Sequence, residues 1–258
     1  HVHGKVGGRL LADLDSNGWP QSGRARALGE MRKAFAFHLA GDQHLGTIFQ
    51  HGIDDWNDAG YSFCVPSIAN LYLRWWDPLE PGRNRQPGMP EHLGEHRDGF
   101  GNKLTVHAVA NPSKEPNGGE VLTTRAAGFG VVRFDKKTRR ITMECWPRNT
   151  DVTSPEARQY EGWPLTIHQE DNYGREAVAY LPELKVTGAE NPILQVIAEP
   201  SKDVLYTLRL PGDTYRPKVF AEGTYTIRLY DETYDKTFPG IAAHPPTERK
   251  TLEVDLKN

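Results

Sequence analysis

The sequence predicts an α/β domain followed by a small all-β module. Residues 24–33 are rich in helix formers, and Pro20 stands near their start, as is typical where a helix begins. The apolar run 34–40 follows at once, and its length favours a buried strand over a second helix. Beyond residue 100 the pattern changes to short strands separated by turns. The 258 residues suffice for a core domain with a small module.

The end of the apolar run is where an α/β fold would place function. Functional groups in such sheets lie at the carboxyl ends of strands. Residues 40–44 read Ala-Gly-Asp-Gln-His, so Asp42 and His44 fall at that position. Gly41 is expected to permit the sharp exit that such a loop needs.

The middle of the chain predicts a loop and then strands. Residues 78–90 are rich in Pro, Gly and Arg, which indicates a long surface loop. Residues 104–110 alternate as a strand, and residues 130–134 and 140–146 form a predicted hairpin. The stretch from 147 to about 182 is expected to be irregular.

The last segment predicts a β-sandwich module. A second hairpin is expected between residues 193–199 and 204–210, and further short strands follow up to residue 256. The predicted division is therefore residues 1–182 for the α/β domain and 183–258 for the β-sandwich module.

Composition excludes several functional classes. The formal net charge is -3, which provides no basic patch for nucleic acid or for a membrane surface. No apolar run approaches the roughly 20 residues that span a bilayer. Cys64 and Cys145 cannot form a disulfide framework, and free buried thiols are the preferred interpretation over one bridge.

Asp42 and His44 are suitable metal ligands. A carboxylate and an imidazole two residues apart, in an extended turn after a strand, can reach one centre and bind iron, zinc or manganese. In the alternative interpretation, Asp42 caps a turn while His44 packs or faces solvent. The Gly-Asp-x-His motif alone is too common to decide between them.

The wider context favours the metal interpretation. Residues 13–24 contain an Asp-x-Asp-x-Asn-Gly-Trp-Pro-x-x-x-Arg element, and downstream segments read His-Gly-Ile-Asp-Asp-Trp (51–56), Phe-Cys-Val-Pro-Ser-Ile-Ala-Asn (63–70) and Arg-Trp-Trp (74–76). Together with Gly-Asp-Gln-His, these segments resemble the carboxyl-terminal half of the PhoD-like alkaline phosphatase/phosphodiesterase family. That family belongs to the calcineurin-like metallophosphoesterases. The resemblance covers roughly residues 1–180 and depends on the order of the motifs.

The resemblance implies a metal-dependent hydrolase of phosphate mono- or diesters. Its fold would be the latter half of a metallophosphoesterase β-sandwich flanked by helices. Two metal ions, iron and calcium by resemblance with zinc or manganese as alternatives, would activate water and neutralise phosphate charge. Asp42 and His44 would be metal ligands, and export to the periplasm or cell surface is implied.

The remaining ligand motifs of that superfamily are not found in the sequence. A dinuclear site needs more ligands than Asp42 and His44. The chain begins at His1 without an initiator Met or a signal peptide, so we expect a processed chain or a fragment. The missing amino-terminal part, or a second copy, is therefore an expected partner beside the phosphate-ester substrate.

Other residues are candidates for substrate or supporting roles. Asp15 and Asn17 either contribute to the site or form a local turn. His51 follows the Gly-Asp-x-His loop by one short strand and is expected near it. Arg74 is a candidate phosphate ligand beside two tryptophans. Another possible metal-binding set follows the long loop, but it is interpreted as surface residues: His92, Glu95 and His96.

A non-catalytic function is the alternative. Aromatic residues and the terminal β-sandwich are compatible with an extracellular β-rich protein that serves in binding or assembly. Metal analysis distinguishes it from the phosphoesterase. The sequence determines neither the substrate nor the metal.

Overall fold

The computed structural model describes residues 3–6, 9–12, 18–69, 75–76, 78–111 and 126–257. Two compact units divide the chain. The first consists of His1–Met31 and Ala36–Gly174, and the second of Arg32–Phe35 and Arg175–Asn258. Strands predominate in both units. The second unit begins before the expected boundary at residue 183.

Helix α1 spans Gln21–Lys33 and confirms the predicted helix. Its last turn carries Arg32 and Lys33, whose positive charges favour the carboxyl end of a helix. Arg24 and Leu28, one turn apart, are both buried and form the inward face. Within the described residues no helix is long and apolar enough to cross a bilayer.

Ten strand segments of the first unit are described. They are β1 (His3–Val6), β2 (Arg9–Ala12), β3 (His38–Ala40), β4 (Thr47–His51), β5 (Tyr61–Cys64), β6 (Gly94–Arg97), β7 (Lys103–Val109), β8 (Gly128–Phe134), β9 (Arg140–Pro147) and β10 (Leu165–His168). The main sheet has the order β3-β5-β4-β7-β6. The smaller sheets are β10-β9-β8 and the hairpin β1-β2.

The main sheet is mixed, and its central strand β4 is buried on both faces. Strands β3 and β5 are parallel, whereas the pairs β5-β4, β4-β7 and β7-β6 are antiparallel. Phe49 belongs to a core cluster with Leu104 and Trp76. The next residue back, Ile48, belongs to another cluster with Met143 of β9. Alternate residues of β4 therefore enter two different cores, as the period of a strand requires.

The expected buried strand at residues 34–40 is wrong in extent and burial. The chain turns at Ala34 and Phe35 after α1, and Phe35 has a φ of 50°. Only His38–Ala40 pairs with a neighbour, and the Leu39 side chain is 49% exposed. β3 is the edge strand of the sheet as described, so it has a partner on one side only.

The predicted strand and hairpin further along are confirmed, and the stretch expected to be irregular contains two short strands. The strand at 104–110 is β7, and the predicted hairpin is the pair β8-β9. The stretch expected to be irregular contains β10, which pairs with β9, and a 3-10 helix at Gln169–Tyr173. Strand β10 was concealed in the sequence because it has only four residues and polar residues follow it.

The second unit is all-β among its described residues from Arg175 onward. Its strands are β11 (Ala179–Tyr180), β12 (Glu183–Thr187), β13 (Ile193–Ala198), β14 (Val204–Arg209), β15 (Thr214–Tyr215), β16 (Lys218–Val219), β17 (Thr224–Tyr230), β18 (Asp235–Ala242) and β19 (Thr251–Asp255). They form the sheets β14-β13-β17-β18, β15-β12-β19 and β11-β16. The predicted hairpin is the pair β13-β14.

Alternation decides burial in the second unit. Leu194 and Val196 of β13 are fully buried, while their neighbours along the strand are partly exposed. Strand β18 was not predicted, because Pro239 and Gly240 interrupt its pattern. Pro is tolerated there because β18 is an edge strand in the described sheet.

The two cysteines are free and buried, as predicted. Cys145 belongs to β9 and lies in the core cluster that this strand shares with the main sheet, and its exposure is 0%. Burial raises the pKa of the Cys145 thiol to about 12, so this thiol is protonated and unreactive at neutral pH.

Candidate functional site

Residues 41–44 form the turn between β3 and β4, here called the Asp42 loop. Asp42 and His44 have φ values of 65° and 54°, in the left-handed region that Asp and His enter more readily than most residues. Gly41 does not have a left-handed φ, and a Cβ atom there would meet only Val65 Cγ2, at 3.7 Å. The expectation that Gly41 makes the sharp turn is therefore wrong. Asp42 and His44 make it.

Three strand ends surround the Asp42 loop. Because β3 and β5 are parallel, their carboxyl ends lie together, and Val65 N donates to Ala40 O at 2.9 Å. Strand β7 runs antiparallel to β4, so it ends where β4 begins. There Ala110 N donates to Gly46 O at 2.9 Å. The loop thus stands at the carboxyl ends of β3, β5 and β7, which we call the carboxyl edge.

Asn111 supports the loop from β7. Its side-chain Nδ2 donates to the backbone carbonyl of His44 at 3.2 Å, and the backbone carbonyl of Asn111 accepts from Trp76 N at 3.0 Å. The Asn111 side chain is buried. Sequence reasoning missed this role, although its position directly after a predicted strand was a signal.

Asp42 and His44 carry side-chain atoms of the kinds that bind metal ions. Asp42 is exposed and His44 is half-buried, so a carboxylate oxygen and an imidazole nitrogen stand on an accessible loop. Across the parts of the chain that the structure describes, no group of three or more His, Cys, Asp or Glu side chains could hold a metal ion. The pair therefore does not complete a site among these residues.

A cavity of about 630 Å³ adjoins the carboxyl edge, because Ala110 lines it. Much of the remaining lining is apolar and includes Met89, Leu93 and Val109. His107 is its most perturbed group, since burial lowers the pKa of this imidazole from 6.5 to about 4. The ring stacks on Tyr61 at 5.3 Å and is neutral at physiological pH.

The structure does not bring His51 to the Asp42 loop. His51 is the last residue of β4, whereas the loop precedes its first residue, Thr47. The length of the strand, about 13 Å, therefore separates His51 from the loop. Its side chain is buried, and Arg24 Nη2 donates to His51 Nδ1 at 3.1 Å. Burial and the charge of Arg24 lower the pKa of His51 well below its ordinary value. His51 is thus a neutral histidine of the interior.

The other predicted residues have different outcomes. Asp15, Asn17 and Arg74 lie outside the described residues, so their roles stay predictions. The interpretation of Glu95 and His96 as surface residues is wrong, because both lie on the buried strand β6 and are 8% exposed. Gly94, the first residue of this strand, has a φ of 88°.

No family model, curated protein or solved structure matches this chain. The likeness to PhoD-like enzymes therefore depends on the ordered motifs of the sequence alone.

Proposed function

We propose that this chain contributes Asp42 and His44 to a dinuclear metal site that hydrolyses phosphate mono- or diesters. The observation that carries the proposal is the Asp42 loop itself. Two side chains with ligand chemistry occupy left-handed positions two residues apart at the carboxyl edge of a mixed sheet. Iron and calcium are the proposed metals by resemblance, with zinc or manganese as alternatives.

The loop is held in a defined conformation, which metal binding requires. A left-handed conformation costs a residue other than glycine about 1 kcal/mol, so surrounding contacts must stabilise it. Asn111 provides such a contact through the His44 carbonyl. A preformed loop places both side chains before the ion arrives, and this lowers the entropy that binding must overcome.

The rest of the proposed site lies beyond the Asp42 loop. Further ligands would come from a part of the protein outside the described residues, from an amino-terminal partner or from a second copy. The metal ions would supply activated water and neutralise charge on the phosphate oxygens. The cavity at the carboxyl edge, with Met89 and Leu93 in its lining, suits an apolar leaving group of the ester.

The fold and location belong to the same proposal. The first unit would be the latter half of an α/β metallophosphoesterase sandwich, and the second unit a β-sandwich module. Periplasmic or extracellular location follows by resemblance to exported relatives. The second candidate function is a non-catalytic β-rich binding or assembly protein, with which the strand-rich architecture of both units is compatible.

Metal content is the decisive measurement. We expect the protein together with its amino-terminal partner, incubated with iron, zinc, manganese or calcium and then desalted, to retain metal measurable by mass spectrometry. Asp42→Ala and His44→Ala should each reduce the retained metal about tenfold or more, because each removes a ligand atom. Asp213→Ala is the matched control, since it removes an exposed carboxylate of the second unit.

Activity should follow metal. Hydrolysis of p-nitrophenyl phosphate and bis(p-nitrophenyl) phosphate is expected from the protein with its amino-terminal partner, to be lost with a chelator and in Asp42→Ala. If no variant of the Asp42 loop changes metal content, the proposed site is wrong. Retained metal without turnover in the complete protein would favour the non-catalytic candidate.

A further inference from the structure

A second cleft lies in the first unit around the edge strand β6, and its use is independent of the proposed phosphoesterase site. It encloses about 640 Å³, within the range of small-molecule sites. The residues that matter here are Trp56, Trp76, Arg83, Glu95, His96 and Arg97, and we call it the Trp56 cleft.

Trp56 gathers three cations. The Cζ atoms of Arg83 and Arg97 lie 4.8 and 5.4 Å from the centroid of its ring, and Lys103 Nζ lies at 5.2 Å. Cations within about 6 Å of an indole ring are attracted by its quadrupole. Three like charges around one ring also repel each other, so an anion placed among them is favoured.

The two arginines have donors to spare. Arg97 Nη1 donates to Gly101 O at 2.8 Å, which leaves its other N–H groups available to a ligand. Arg83 has neither a side-chain hydrogen bond nor an ion pair within the described ranges. Its backbone is nevertheless fixed, because Arg83 N donates to Glu95 O at 3.1 Å and Glu95 N donates to Arg83 O at 3.0 Å. The long loop thus presents Arg83 from a rigid point.

Unpaired polar atoms of Glu95 and Trp56 also indicate a ligand in the Trp56 cleft, independently of the three cations. The Glu95 side chain is nine-tenths buried, and Oε1 accepts from Asn84 Nδ2 at 2.7 Å. The other oxygen, Oε2, is buried without a donor among the described residues, and so is the indole Nε1 of Trp56 without an acceptor. Buried polar groups are normally paired, and an unpaired one costs about 1–3 kcal/mol. A bound molecule with hydroxyl groups would satisfy both.

Two other polar residues of the cleft, His96 and Asp98, are already engaged, whereas Glu80 is an exposed carboxylate at its edge. Asp98 accepts hydrogen bonds from Phe100 N, Asn102 N and Asn102 Nδ2. His96 Nε2 lies 3.1 Å from Leu93 O and donates to it, and burial lowers the pKa of this imidazole. Neither His96 Nε2 nor Asp98 is therefore available as a metal ligand. Recognition falls to Arg83, Arg97 and Glu95.

We propose that the Trp56 cleft binds an anionic monosaccharide. Arg83 and Arg97 would hold its phosphate or carboxylate, because guanidinium groups match both anions in geometry. A sugar hydroxyl would donate to Glu95 Oε2, and another would accept from Trp56 Nε1. The rigid indole keeps both arginines in place before the ligand arrives.

Calorimetric titration of the 258-residue chain, with a chelator present, tests this proposal. Glucose 6-phosphate and glucuronate are the probes, and either one or both should bind saturably with one site per chain. Glucose, which lacks the anionic group, should bind at least about tenfold more weakly than the anionic probes. A response to only one probe would identify which anion the arginines accept.

Substitutions place the binding in the cleft. Arg83→Gln and Glu95→Gln should each weaken binding about tenfold, and Arg148→Gln, an exposed arginine of the same unit, should leave it unchanged. Arg97→Gln is a second variant if Arg83→Gln fails to fold by circular dichroism. Asp42→Ala should not affect binding, which separates this cleft from the proposed metal loop.

Four outcomes would overturn the proposal. They are no saturable binding of either probe, equal binding of glucose, inorganic phosphate binding as tightly as glucose 6-phosphate, and binding unaffected by both Arg83→Gln and Glu95→Gln. The third would mean that the cleft recognises a bare anion and that Glu95 has no ligand role.

Discussion

Arg24 shows how one buried side chain connects distant parts of the first unit. Its Nη1 donates to Gly52 O at 2.8 Å, and its Nη2 lies within hydrogen-bond distance of His51 Nδ1 and Lys103 O. Helix α1 is thereby attached to the ends of β4 and β7. Burial lowers the pKa of Arg24, and the charges of Asp98 and Asp58 oppose this shift. The guanidinium remains charged because its ordinary pKa is so high.

We expect Arg24→Ala to lower the free energy of unfolding by about 3 kcal/mol, because it removes the side-chain donor to the buried Gly52 carbonyl and the contact with His51 Nδ1. Urea unfolding followed by tryptophan fluorescence measures the change. Arg26→Ala, on the exposed side of the same helix, is the control and should change stability by less than about 0.5 kcal/mol. Equal effects of the two substitutions would show that Arg24 does not anchor the helix.

At the scale of elements, strand β7 contains an irregularity that the sequence pattern conceals. Ile48 pairs with Ala108 but the next residue, Phe49, pairs with Val106, so His107 is an extra residue in a β-bulge. The bulge allows Val106 and Val109 to enter the same core cluster although they are three residues apart. It also places His107 in the lining of the cavity at the carboxyl edge.

His107 makes stability depend on pH. Its pKa in the folded protein is about 4, below the value of 6.5 for the unfolded chain. The unfolded state therefore binds the proton more tightly, and stability is complete above about pH 6.5 and falls as the pH falls toward 4. Between pH 7.5 and pH 5 this residue should account for a loss of about 2 kcal/mol.

Urea unfolding of the parent protein and of His107→Phe at both pH values checks this prediction. Phenylalanine keeps the stacking on Tyr61 and cannot be protonated, so the variant should lose about 2 kcal/mol less than the parent on acidification. The same pH dependence in both proteins would assign the effect to other groups.

At the scale of the whole molecule, the chain forms two units whose unfolding can be followed by different measurements. All six tryptophans belong to the first unit, so tryptophan fluorescence follows that unit. The second unit includes four residues from the end of helix α1 and the turn after it, Arg32–Phe35. Phe35 is 4% exposed and packs edge-on against Tyr206 at 5.1 Å.

Phe35→Ala should destabilise the second unit by about 3 kcal/mol through the cavity it leaves. Hydrogen exchange of peptides from β13, β14 and β17 should speed up, while the tryptophan transition keeps its midpoint. Val178→Ala, at a position 53% exposed in the same unit, is the control and should leave exchange unchanged. A shift of the tryptophan transition in Phe35→Ala would mean that the two units unfold together.

Local patterns were sufficient for helix α1, for the hairpins β8-β9 and β13-β14, and for the position of the Asp42 loop after a strand. Each depends on residues close together in sequence, through periodicity and turn chemistry. The strand before the Asp42 loop was predicted too long. A local apolar pattern does not reveal that β3 has a partner on one side only.

The sequence by itself determined where the hairpin β13-β14 of the second unit lies and that Asp42 and His44 follow a strand. Only the tertiary structure decided which distant residues meet, as with the Arg24 side chain and the Lys103 carbonyl, or the backbones of Arg83 and Glu95. Those contacts join residues far apart in the chain, and burial is a property of the assembled sheets. The Trp56 cleft and the carboxyl edge were therefore visible only once the strands had been paired.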